Sequence, residues 1–132
     1  MNMVVTNLDI GSLILKDAEH RDELLTFAGA ATVVEGTILA RDSVSFKLIP
    51  YVKGGVTNGD GIPKAILTYD VTALGAGDEA IRAMISGGVR KERLIIDADG
   101  DGSNVDDVVL DELRDYSLIS VDVQELDILD NQ

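Results

Sequence analysis

The chain has 132 residues, of which 45% are hydrophobic and 27% charged, and its formal net charge is -13. This length predicts one domain with a core of its own. Because only 11 lysines and arginines oppose 24 acids, binding to nucleic-acid phosphates or to an anionic membrane is not expected. The absence of cysteine excludes disulfides, thiolate metal sites and cysteine nucleophiles.

The N-terminal segment has neither the basic start of a signal peptide nor an apolar run long enough for a membrane span. Its apolar residues are scattered and form no helical stripe, which favours a short strand or an extended arm that becomes ordered on a partner. We predict an arm over residues 1–20 and a single domain over residues 21–132. The apolar residues that would make the arm's contacts are Leu8, Ile10, Leu13, Ile14 and Leu15.

From residue 24 onward the chain is rich in β-branched residues, which are typical of strands. Segments 36–42 and 44–51 are predicted strands with a break at Asp42, and a glycine-dense turn follows at 54–61. Apolar and polar residues largely alternate over 63–73, which predicts one half-buried strand.

Segment 79–97 fits two periodicities. Ile81, Met84 and Ile85 lie at helical spacing, whereas Ile81, Ala83 and Ile85 also alternate as in a strand. Intrinsic propensity favours the helix weakly, so the residues alone leave both alternatives open.

The stretch DADGDGSNVDD, residues 97–107, begins like a calcium loop of the EF-hand kind, with Asp97, Asp99 and Asp101 at alternate positions. Such a loop needs a hydrophobic residue at its eighth position and a bidentate glutamate at its twelfth. Asn104 and Val108 occupy those positions. The pattern therefore favours a polar connection between a strand and a helix, and no metal site is predicted.

A helix is predicted after this loop, near residues 105–116. Its apolar face would carry residues at three- and four-residue steps. Ser103 with Asp106, and Asn104 with Asp107, resemble N-capping pairs that place acids in the first turn. The predicted apolar face consists of Val105, Val108, Val109, Leu113 and Tyr116.

No catalytic constellation is visible in the sequence. His20 is the only histidine and stands among acids, which is typical of a surface residue and not of a catalytic base. The glycine-rich stretches lack the lysine of a P-loop and the spacing of a dinucleotide-binding turn. We therefore expect no enzyme activity and no cofactor.

Four segments, in this order, carry a family resemblance: GTIL at 36–39, PKAILTYDV at 63–71, ISGGV at 85–89 and LRDYSLI at 113–119. Together they resemble the head decoration proteins of lambdoid bacteriophages, and the similarity spans residues 8 to 123. The resemblance implies a mainly β (α+β) domain with a small curved sheet or barrel-like core. It also implies strand, turn and strand around 80–96 in place of a helix, and one helix near 105–116.

The resemblance further implies a function without chemistry. Proteins of this family sit as homotrimers on the outer surface of the virion head, where they bind the expanded major capsid protein and stabilise it against internal DNA pressure. The arm would then contact the capsid by adding a strand to a sheet edge; alternatively, it packs on its own domain or on a neighbour. Two other functions remain open: another virion subunit, of a tail tube or spike, and a calcium-binding module that uses residues 97–107.

Overall fold

The computed structural model describes residues 13–121. These residues form eight strands, one helix and one 3-10 turn, so the predicted mainly β class with a single helix is confirmed. The strands are β1 (Ile14–Phe27), β2 (Ala31–Val33), β3 (Ile38–Arg41), β4 (Leu48–Pro50), β5 (Pro63–Leu67), β6 (Val71–Ala73), β7 (Gly77–Arg90) and β8 (Leu118–Val121). The 3-10 turn covers Lys91–Arg93, and the helix α1 covers Asp107–Asp115.

Five strands close into a barrel-like ring in the order β1-β4-β3-β5-β7, because β7 pairs back onto β1. The antiparallel β1–β7 pair runs the length of both strands, from Ile14 opposite Val89 to Phe27 opposite Gly77. β8 adds to the far end of β7, parallel to it, starting at the Gly87–Leu118 pair. The contact between β1 and β4 that completes the ring is a single pair, Leu25 opposite Leu48. Closure reduces the number of backbone groups at open edges of a small sheet.

Two apolar clusters fill the part of the molecule that the structure describes. One receives side chains from all five strands of the ring and is extended by β2 and β6; it includes Leu25, Leu39, Leu48, Leu67 and Ile81. The other lies between the ring and α1 and includes Ile66, Met84, Val109, Leu113 and Leu118. Neighbouring residues of β3 and of β5 belong to different clusters, so these strands are buried on both faces.

The predicted single strand over 63–73 is wrong, because it is two strands in different sheets. β5 pairs with β3 and β7, whereas β6 pairs with β2 in a separate two-stranded sheet. The chain turns at 68–70, where the Asp70 carboxylate accepts a hydrogen bond of 2.8 Å from the Glu35 backbone N–H. The predicted strand over 44–51 is also too long, because 43–45 is a turn and β4 begins at residue 48.

The strand alternative for 79–97 is correct and the helical one is wrong. β7 extends unbroken to residue 90, a 3-10 turn follows, and Ile95 and Ile96 make isolated bridges to Thr37 and Asp101. The pairing with β1 and the burial of Ile81 and Ala83 override a weak helical propensity. The turn that was expected around 80–96 therefore lies at 91–93.

The predicted helix is confirmed at Asp107–Asp115, but its cap and part of its apolar face differ from the prediction. The Asp106 side chain is the N-cap and accepts hydrogen bonds from the backbone N–H groups of Val108 and Val109. Val109 is buried as expected, whereas Val108 is 62% exposed. Tyr116 also lies partly in solvent, with the Lys64 Nζ atom 3.8 Å from its ring centroid.

Candidate functional site

The five residues that the sequence assigned to a binding arm do not share one environment. Leu8 and Ile10 lie outside the described residues. Leu13 is buried in the core and 2% exposed, and its carbonyl accepts a hydrogen bond of 2.9 Å from the Arg90 backbone N–H. Ile14 and Leu15 are half-buried in β1.

Residues 14–20 of the predicted arm are therefore part of the barrel, where they pair with β7. The register of this pair shifts between Ile14 and His20, and Asp17 has a φ of 52° within the irregular stretch. This pairing uses one edge of β1, whereas on the other edge β1 pairs with β4 only at Leu25, opposite Leu48. That residues 1–20 act as a contact arm stays a prediction.

The aspartate loop is held by contacts within itself. The Asp101 carboxylate accepts a hydrogen bond of 3.0 Å from the Ser103 backbone N–H, which lowers the pKa of Asp101. The Asp99 carboxylate accepts one of 3.0 Å from the Asn104 side chain. Between residues 13 and 121, no group of three or more acidic or histidine side chains is arranged to hold a metal ion.

A groove on the outside of the barrel brings together apolar side chains from separate parts of the chain. Leu24 of β1, Phe46 of the β3–β4 loop and Tyr69 of the β5–β6 loop line a cavity of about 620 Å³, beside Ala80 of β7. These three large side chains are 42%, 69% and 44% exposed, respectively. We call this feature the Phe46 groove; a patch of exposed aromatic and aliphatic side chains is typical of a protein-binding surface.

The loop that carries Phe46 is strained and firmly held. Phe46 has a φ of 63°, in the left-handed region that bulky residues rarely adopt. Asp42 Oδ1 accepts from the backbone N–H groups of Val44 and Ser45 at 2.7 and 3.2 Å. The Phe46 N–H donates to the Asp42 carbonyl and the Arg41 guanidinium donates to the Phe46 carbonyl, both at 2.8 Å. These bonds hold the backbone that carries the exposed Phe46 side chain.

Charged side chains of both signs border the groove. The Tyr69 hydroxyl accepts a hydrogen bond of 3.0 Å from the Arg82 backbone N–H, which fixes the ring against β7. The bordering ion pairs are Arg41–Glu23 at 2.7 Å, Lys47–Asp78 at 2.6 Å and Arg82–Asp22 at 3.2 Å.

Glu23 is the most enclosed of these carboxylates, with 10% of its side chain exposed. Two hydrogen bonds from the Arg41 guanidinium, of 3.1 and 2.7 Å, hold the pKa of Glu23 below its ordinary value and outweigh the opposite effect of burial. A bidentate arginine–carboxylate pair of this kind fixes both side chains in one geometry. The pair thus ties β1 to β3 beneath the groove.

The Glu23–Arg41 pair should make stability depend on pH. A carboxyl group whose pKa is lowered by folding stabilises the fold above its unfolded pKa, and this contribution is lost as the pH falls through the folded pKa. We expect the Glu23→Gln variant to unfold at a lower temperature than the wild type at neutral pH, and the difference to shrink as the pH falls below the ordinary pKa of a glutamate and through the lowered pKa of Glu23. Thermal unfolding across this range measures it.

The control for this prediction is Glu79→Gln, which changes an exposed carboxyl of β7 for which no ion pair occurs within residues 13–121. That variant should follow the wild type at every pH. A Glu23→Gln deficit of equal size in neutral and acidic solution would contradict a role for the ionised carboxylate.

A second polar contact joins the ring to the helix. Tyr51 is completely buried, and its hydroxyl donates a hydrogen bond of 2.9 Å to the Glu112 carboxylate of α1. Burial, followed by the hydrogen bond to Glu112, raises the pKa of Tyr51 far above its ordinary value. The phenol therefore stays protonated and serves as a structural donor.

The Phe46 groove was not predicted from the sequence. Phe46 was assigned to a strand and Tyr69 to the buried face of another, so neither was considered for binding. A signal existed, because Phe46 stands in the run Asp42 to Lys47, where two serines and an aspartate are typical of a turn.

The helix within residues 13–121 is not long and apolar enough to span a membrane.

Comparison with known proteins gives one match to a family. A family model described as bacteriophage lambda head decoration protein D matches residues 7–117. No curated protein matches the chain. The matched region contains almost all of the described barrel, the Phe46 groove, the aspartate loop and α1.

Proposed function

The chain belongs to the family of the bacteriophage lambda head decoration protein D, and from this premise we propose that it binds the outside of the expanded phage head as a homotrimer. Its partner there would be the major capsid protein, and the bound trimer would stabilise the shell against the pressure of packaged DNA. The observation that carries the proposal is the family match over residues 7–117.

The fold supports a mechanical role. A closed ring whose strands β3 and β5 are buried on both faces resists shear, because any displacement breaks strand pairing and opens cavities in a close-packed core. We propose that the domain acts as a rigid block and catalyses no reaction. Its association with the shell would then contribute to head stability by mass action.

The proposed grip on the shell comes from the residues that precede Leu13. Leu8 and Ile10 are the apolar residues of the predicted contact set that lie outside the described barrel. A segment that adds a strand to a capsid sheet gains main-chain hydrogen bonds, while alternate side chains enter pockets. In the barrel itself Leu13 and Ile14 are paired beside the end of β7, so the arm would start from that end.

The charge supports a location away from DNA. A net charge of -13 repels the phosphate backbone and gives the outside of a particle a negative potential that keeps particles apart. We therefore propose that the protein contacts no nucleic acid within the head.

The proposal is tested with undecorated expanded heads of the phage that encodes the chain. Purified protein mixed with these heads should add density at the local threefold positions of the outer surface, as seen by electron cryomicroscopy. Decorated heads should also retain their DNA at temperatures at which undecorated heads release it. A failure to bind heads, or assembly of the free protein into rings or rods typical of a tail tube, would contradict the proposal.

A further inference from the structure

We propose that the Phe46 groove is the surface at which copies of this chain meet. The inference rests on the proposed function for the trimeric state, and it assigns a position in the fold to the contact between subunits. Three properties of the groove support a second copy as its occupant: strained exposure of an aromatic side chain, local neutrality on an acidic protein, and distance from the proposed arm.

The first property is the strain at Phe46. A bulky residue with a φ of 63° is costly to hold, and such residues persist only where surrounding contacts force them. Four hydrogen bonds to the backbone of the 42–46 turn supply that force, and the result is an aromatic side chain that is 69% exposed. A turn whose backbone is already held loses little conformational freedom on binding, and a Phe side chain has only two torsion angles to order, which favours a role as an interface anchor.

The second property is the charge of the groove. Its lining contains two acids, Asp22 and Glu23, and two bases, Lys47 and Arg82, on a chain whose net charge is -13. Two copies of such a chain repel each other over most of their surfaces, and the repulsion is weakest where the local charge is balanced. A balanced groove adds little repulsion against the acidic surface of a second copy, whereas a strongly basic partner would favour an acidic groove.

The third property is position. The proposed arm leaves the barrel at the Ile14 end of β1, beside Val89. Leu24 lies ten residues further along the same strand, opposite Ala80, which corresponds to about 30 Å along an extended strand. A capsid contact through the arm therefore leaves the groove free for a neighbour that binds at the side.

The test uses the absence of cysteine from the chain. The single-cysteine variants Phe46→Cys and Tyr69→Cys each place one thiol in the groove, to which a photoreactive maleimide is attached. The matched control is Leu74→Cys, which replaces an apolar residue that is 95% exposed in the β6–β7 loop, outside the groove. Each labelled protein is irradiated both free in concentrated solution and bound to phage heads. The cross-linked products are identified by mass spectrometry.

We expect cross-links between copies from positions 46 and 69 in several-fold excess over those from position 74. Because a threefold interface is heterologous, the cross-linked residues of the second copy should lie on a different face of the barrel. Two results would overturn the inference: cross-links from the groove to the capsid protein, or copy-to-copy products from the groove no more abundant than those from position 74. Tyr69→Cys keeps the test decisive should Phe46→Cys fail to fold.

Failure of this inference and failure of the proposed function give different results. If the wild type adds threefold density to heads but the groove positions yield no copy-to-copy product, the groove is not the contact between subunits, and the proposed decoration of heads is still supported. If the groove cross-links copies in solution but the wild type never binds heads, the groove is the contact between subunits and the proposed function is wrong.

Discussion

Removal of residues 1–12 is expected to abolish binding to heads while the barrel still folds. The deletion ends before Leu13, which is buried in the core and must remain. Burying one leucine and one isoleucine side chain contributes about 3–6 kcal/mol together, so loss of Leu8 and Ile10 alone should weaken binding at least about a hundredfold. Sedimentation of heads with labelled protein, at several concentrations, measures the change.

Substitutions within the arm separate its side chains from its backbone. The Leu8→Ser/Ile10→Ser double variant keeps the backbone donors and should lose most of the affinity. The Asn7→Ser/Asp9→Ser double variant changes the alternating polar positions and should bind nearly as well as the wild type. Binding of the deletion variant with wild-type affinity would show that residues 1–12 are not the segment that binds the capsid.

Substitution of Gly36 by alanine is expected to destabilise the fold severely. Gly36 has a φ of +93°, and a Cβ atom there would overlap the Arg93 backbone oxygen. The Gly36 N–H donates to the Leu67 carbonyl, and its own carbonyl accepts from the Ile95 N–H. Strain and displacement of the backbone at Arg93 together should cost more than about 3 kcal/mol, seen as a fall in Tm of about 10 °C or more.

Two other glycines provide graded controls for this prediction. Gly100 has a φ of +73°, but the position that a Cβ atom would take is open space, so Gly100→Ala measures backbone strain without a clash. Gly75 has open space and no positive φ, so Gly75→Ala should change stability by less than about 0.5 kcal/mol. A Gly36→Ala variant no less stable than Gly100→Ala would contradict the close approach of Gly36 to Arg93.

The ring of strands shows where local patterns mislead. Alternation predicts a strand with one face in solvent, but α1 covers the outer face of β5, so Ala65, Ile66 and Leu67 are all buried. The residues of 63–73 do not indicate that the helix, which begins about forty residues later, packs against them. The predicted exposure of one face was therefore wrong for β5, in addition to the division of 63–73 into two strands, although the strand character was right.

The candidate binding residues show the same limit. Residues near the N-terminus were identified as a contact set because they are apolar, and the sequence did not indicate that Leu13 is buried in the core or that Ile14 pairs in the ring. Contact of this set with a capsid stays a prediction. The groove residues were missed because they are distant along the chain. Leu24, Phe46 and Tyr69 become neighbours only when β1, β3, β5 and β7 pair.

The amino-acid sequence was enough to establish the mainly β class, the helix and its negative first turn, and the membership of a decoration family. The class and the helix depend on composition or on contacts within a few residues, as when the Asp106 side chain caps the helix at Val108 and Val109. The family membership depends on the order of segments along most of the chain. Composition and local contacts did not give the closure of the ring, the strand state of 77–90 or the exposure of Phe46, and the first two were expected only through the family resemblance. They result from hydrogen bonds and burial between segments far apart in the chain, whose free energy outweighs the local preference of the residues involved.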